Sequence, residues 1–111
     1  MMELTIDRTG EALLIRVEES RIDAAAAIRF KDAVMEAVAG ADDRVVLDLS
    51  RVDFVDSTGL GAIVALLKYC APDIRLDLAG LRPMVEKVFR LTRMDTVFRI
   101  LPAPGQVPSG G

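Results

Sequence analysis

Histidine and tryptophan are missing from this sequence of 111 residues, and cysteine occurs once, as Cys70. Without histidine the chain lacks the commonest general base, the commonest zinc ligand and any Ser-His-Asp triad. A single cysteine excludes an internal disulfide and any multi-cysteine metal site. Aromatic residues are scarce, four Phe and one Tyr, so Ala, Val, Leu and Ile must build the core, as in helices packed on a sheet. The longest apolar stretch, Gly59 to Leu67, is about half of the ~20 residues a membrane helix needs. The opening Met1-Met2-Glu3-Leu4-Thr5 has neither the basic start nor the apolar centre of a signal peptide. A basic excess is missing too: 14 Lys and Arg stand against 17 Asp and Glu, a net charge of −3. That argues against nucleic acid as the main partner, because phosphate binding calls for a positive face. The expectation is a soluble, cytoplasmic protein without membrane insertion.

At this length the chain suffices for one α/β domain, which buries roughly two thirds of its unfolded surface. Leu4 and Ile6, then Leu13, Ile15 and Val17, alternate with other residues at the strand period. Thr9-Gly10-Glu11 between them reads as a turn, so the chain opens with a hairpin. Asp23 is placed to cap an Ala-rich helix with a stripe of Ala27, Phe30, Val34, Ala37 and Val38, closed by Gly40. Val45 to Leu49 is short and nearly all apolar, a central strand covered on both faces. A second helix follows Asp56-Ser57, with Leu60, Ile63, Val64 and Leu67 on one face. Ile74, Leu76 and Leu78 mark another strand, ended by Gly80. Pro83 suits a first helical turn, and Val85, Val88, Phe89 and Thr92 continue that helix. Val97 to Leu101 reads as a last strand. The fold expected is α/β, a mixed β-sheet with an opening hairpin and helices packed mainly on one face. The domain is expected over residues 1–101. The Pro/Gly/Ser-rich stretch 102–111 has no apolar period and is expected to be a disordered tail.

The segment from Val45 to Leu67 carries the chemistry. A buried strand runs into Phe54-Val55-Asp56-Ser57-Thr58-Gly59-Leu60-Gly61, where a helix starts. Asp and Ser are good N-cap residues because their oxygens accept from unpaired N–H groups of the first turn. The same N–H groups and the helix dipole favour an anion, so a phosphate on a serine there would be stabilised. Two readings stay open: Asp56 and Ser57 cap the helix and nothing more, or Ser57 is a phosphoacceptor. Gly59-Leu60-Gly61 follows a strand as a dinucleotide fingerprint would, but the third glycine position holds Val64. No Gly-Lys-Ser/Thr phosphate loop is present. No cofactor is expected, and a hydrolase or nucleotide enzyme is set aside.

Val45-Val-Leu-Asp-Leu-Ser-Arg-Val-Asp-Phe-Val-Asp-Ser-Thr-Gly-Leu-Gly61 resembles the signature of the STAS family, an apolar strand followed by Asp-Ser-Ser/Thr-Gly-Leu-Gly at a helix start. Arg21-Ile22-Asp23 resembles the family's Leu-Asp before its first helix. Ala79 to Pro83, Val88 to Asp95 and Val97-Phe98 resemble its last helix and strand, so the likeness runs over residues 3 to 101. The resemblance is to the anti-sigma factor antagonist type. It implies a non-enzyme whose unphosphorylated form binds an anti-sigma factor that is also a serine kinase, releasing the sigma factor. It implies phosphorylation at Ser57, with Thr58 the neighbouring second choice, and resetting by a serine phosphatase. The partner-binding residues it implies are Asp23, Asp56, Ser57, Thr58 and Gly59. Asp23 can equally be a helix cap. The sequence departs from the family at Ser20 and Arg21, where glycine often stands, and at Arg93, where a glycine often ends the last helix.

The alternative is a non-phosphorylated STAS subunit of a lipid-transporting ABC complex. Three further readings stay open. Cys70 is packing or a reactive thiol; Arg75, Arg82, Lys87, Arg90 and Arg93 are a solvated face or a dock for an acidic partner. Val52, Phe54 and Val55 flank the loop, buried or exposed for docking.

Overall fold

The computed structural model describes residues 3–10, 12–41 and 43–102. The alternating start forms β1 (Leu4–Thr9) and β2 (Ala12–Val17), paired antiparallel with Ile6 opposite Ile15. Gly10 lies in the turn between them at φ 56°, a left-handed conformation glycine adopts without penalty. β4 (Arg44–Asp48), β6 (Arg75–Ala79) and β7 (Ile100–Leu101) then add in parallel, giving a five-stranded mixed sheet in the order β1-β2-β4-β6-β7. The helices are α1 (Ala27–Val38), α2 (Ser57–Cys70) and α3 (Pro83–Leu91), followed by a single 3₁₀ turn at Met94–Thr96. The mixed sheet with its opening hairpin is as expected.

Leu13, Ile15 and Val17, with Val45, Leu47, Leu76 and Leu78, turn one face of the sheet toward the helices. They meet Phe30 and Val34 of α1, Ile63 and Leu66 of α2, and Val85 and Phe89 of α3 in one core. Phe89 meets Phe98 edge-to-face at 6.0 Å between centroids. The opposite face is different. Every residue of β4 is buried, yet the small cluster of Ala12, Val46, Ala79 and Leu101 on that side contains no helical side chain. Charge is buried there as well: Arg44 and Asp77 pair at 3.1 Å with almost no exposure.

Four details depart from the sequence pattern. α2 buries Gly59, Ala62, Ile63, Leu66 and Cys70, while Leu60, Val64 and Leu67 are half-buried. The helix is apolar nearly all round, so its period does not select a face; the face it buries includes Gly59, packed closely against Ile22. α1 starts at Ala27, one turn after Asp23, and has no side-chain cap of its own. The last strand is two residues, because Val97 and Phe98 serve as the approach to it. Finally, Arg21–Ile22 (β3) and Phe54–Val55 (β5) form a two-stranded parallel ladder of their own. The tail expected at 102–111 lies outside the described residues beyond Pro102.

Candidate functional site

The β3–β5 ladder builds the site. Its register places Arg21 beside Phe54 and Ile22 beside Val55, so the next residues of both strands emerge together. Those include Asp23, before α1, and Asp56, before α2. Asp56 has an extended backbone and caps α2: its Oδ1 accepts from the Gly59 N–H at 2.8 Å. Its Oδ2 accepts from the Ala24 N–H at 3.0 Å. One carboxylate therefore fastens the two loops together while satisfying an orphan N–H of the helix. Gly59 is buried beneath the ladder. A Cβ there would stand 1.9 Å from the Ile22 carbonyl oxygen, so only glycine permits this approach.

Ser57 and Thr58, the first two helical residues, are exposed. Among the described residues neither hydroxyl makes a hydrogen bond, and neither do the two backbone N–H groups. Two free donors and the positive end of a helix of 14 residues thus surround an accessible hydroxyl. Asp23 directly precedes Ala24, whose N–H is held by Asp56. The Asp23 Oδ1 accepts from Ala26 N–H at 3.2 Å, heading the turn before α1. Its Oδ2 accepts from Arg21 Nε at 3.3 Å, and this bond to Arg21 is the leading reason its carboxyl is held below the ordinary aspartate range.

Of the three apolar residues flanking the loop, Val52 and Val55 are core and Phe54 alone is exposed. The Arg21 guanidinium stacks on the Phe54 ring, 4.3 Å from its centroid, an arrangement the sequence did not announce. Both residues sit on two-residue strands too short to show a period.

Three of the five basic residues singled out in the C-terminal half are in ion pairs. Arg75 pairs with Asp77 at 3.4 Å, Arg82 with Asp53 at 2.9 Å and Arg90 with Glu86 at 3.4 Å. That favours a solvated, internally neutralised surface. Cys70 is buried, and burial pushes its thiol pKa up, away from nucleophilic chemistry. Among the described residues, no group of three or more His, Cys, Asp or Glu side chains could hold a metal ion. None of the described helices is long and apolar enough to cross a membrane.

An opening hairpin, a mixed sheet with three helices over one face, and an Asp-Ser-Thr-Gly helix start define a small α/β domain built around a capped loop. The chain belongs to the STAS domain family, whose pattern it matches over residues 3–106. It is 29% identical over 100 residues to BtrV of Bordetella bronchiseptica, named as a candidate anti-sigma factor antagonist, covering 89% of this chain and 85% of that one. It is 30% identical over 92 residues to a STAS-domain containing protein of Pseudomonas aeruginosa, covering 82% and 89%. Among solved structures it shares the fold of the anti-sigma factor antagonist SpoIIAA. The unphosphorylated form superposes with TM-score 0.65 at 20% identity, over 94% of this chain and 92% of that one. The phosphorylated form, from Bacillus, gives 0.62 at 22% identity, over 88% and 90%.

Proposed function

We propose that this protein is an anti-sigma factor antagonist that works by partner switching. Unphosphorylated, it binds an anti-sigma factor in the cytoplasm and so frees the sigma factor. That anti-sigma factor is also a serine kinase: it transfers the γ-phosphoryl group of ATP to Ser57 Oγ, which loses its proton, and the complex dissociates. A serine phosphatase restores the active form. The protein itself supplies docking and the acceptor hydroxyl, with no catalysis.

The observation that carries this reading is the state of Ser57, whose hydroxyl is exposed and unbonded at a helix start with two unclaimed N–H groups beside it. A phosphate there gains those donors and adds about −1.5 to −2 charges next to Asp56 and Asp23. The docking surface changes from a neutral hydroxyl to a concentrated anion. A repulsion of ~3 kcal/mol weakens binding more than a hundredfold. The kinship with BtrV, and the existence of SpoIIAA in phosphorylated and unphosphorylated forms, support the reading.

The experiment is an affinity capture from the native cells with Ser57→Ala and Ser57→Asp baits, read by mass spectrometry. A kinase-type ATPase recovered with alanine and lost with aspartate is the expected result. A transport ATPase held equally by both baits would replace the switch with a structural subunit of a transporter.

A further inference from the structure

Beside the loop, α1 and α2 leave a shallow groove of about 200 Å³. Ala27, Ile28 and Lys31 form one wall; Thr58, Gly61 and Ala65 form the other. Three features of this groove are left without a purpose by the fold itself.

Gly61 stands inside α2, where glycine weakens a helix relative to alanine. Gly59, two residues earlier, is required by the Ile22 carbonyl, but a Cβ on Gly61 would meet nothing within 4 Å, and its φ lies outside the left-handed region. What glycine does at 61 is keep the groove open and the α2 backbone within reach of whatever enters it. Ile28, on the facing wall, leaves 70% of its surface in solvent. Lys31 is half-buried on the same wall and makes no hydrogen bond or ion pair among the described residues. The positions three and four residues away on α1 hold Ala27, Ile28, Val34 and Met35, none of them acidic. The groove thus pairs an apolar slot with one uncompensated cation.

We infer that this groove receives an apolar side chain of the anti-sigma factor, with an adjacent carboxylate of that partner pairing with Lys31. The inference rests on the function proposed above and names the chemistry of its docking surface. Size argues for a side chain over a free metabolite, since small-molecule sites run to roughly 300–1,000 Å³. An apolar anchor beside a charged partner is also how interface hot spots are built. Thr58 lines the groove and directly follows Ser57, so an occupant in place stands one residue away from the acceptor serine.

The test uses the full chain and, as probe, the purified ATPase identified with the Ser57→Ala bait, with affinity measured by titration calorimetry. Gly61→Leu fills the groove and is expected to keep or raise the melting temperature while weakening binding about tenfold or more. Lys31→Glu is expected to weaken binding by a comparable factor, with a flatter salt dependence, whereas Lys87→Glu on α3 leaves affinity unchanged. Wild-type affinity in both groove variants, with Ser57→Asp still abolishing binding, overturns this inference and leaves the proposed function intact. Recovery of no ATPase by either bait removes both.

Discussion

At Gly59 one hydrogen atom decides whether α2 can reach its place. A methyl group there would collide with the Ile22 carbonyl at 1.9 Å, and the obstacle is backbone, which cannot swing aside. Gly59→Ala is therefore expected to lose about 3 kcal/mol or more. In a domain of this size that lowers the melting temperature by more than ~10 °C. A thermal melt within a degree or two of wild type would mean that the contact is absent. Asp23 offers a second reading at this scale. Hydrogen bonding to Arg21 leads in lowering its folded pKa below the ordinary value of 3.8. A depressed carboxylate contributes stability above its unfolded pKa and loses it as pH falls through the folded pKa. Neutral pH is thus unaffected, and the loss is confined to the acid side. In an NMR titration of the side-chain carboxyl, Arg21→Ala is expected to move the Asp23 midpoint upward; an unchanged midpoint would dismiss the pair.

Among the elements, β4 shows where pattern and structure agree and where they part. Its burial on both faces was legible from the run Val45 to Leu49, but Arg44, which begins the strand, lay outside that apolar run. In the fold, Arg44 lies across the sheet from Asp77 and both are enclosed. Asp77→Ala takes the Asp77 carboxylate away from that buried guanidinium and is expected to cost about 3 kcal/mol. Chemical denaturation checks this; a loss under ~1 kcal/mol, the size typical of an exposed pair, would show the charge to be solvated. The hairpin, the α1 stripe and the order of helices and strands followed from local periodicity. The β3–β5 ladder did not, because two residues carry no period and their pairing joins positions more than thirty apart. The face of α2 was hidden for a related reason: a uniformly apolar helix takes its rotation from long-range packing, here including the close approach of Gly59 to Ile22. Asp56 and Ser57 were legible as a capped helix start, whereas the facing of Lys31 toward Thr58 depends on how α1 packs on α2. Arg93 was marked by sequence as standing where a glycine often ends the helix, and it holds φ 61°, the left-handed region that favours glycine.

For the molecule as a whole, the site sits where β3 and β5 run out into the starts of α1 and α2, the end at which α/β folds place their ligands. Asp56 ties the two loops by hydrogen bonds to Ala24 and Gly59, so the loop is held before any partner arrives. The phosphate proposed for Ser57 would change the charge of a preformed surface more than its shape. In the proposed switch, that added charge is what turns binding off. The measurement that decides it is calorimetric titration of the purified ATPase captured with the Ser57→Ala bait, using unmodified chain and chain phosphorylated stoichiometrically at Ser57. Phosphorylation is expected to lower the affinity at least a hundredfold, about 2.7 kcal/mol. Equal affinities for the two forms would contradict it and reduce Ser57 to the first residue of a helix.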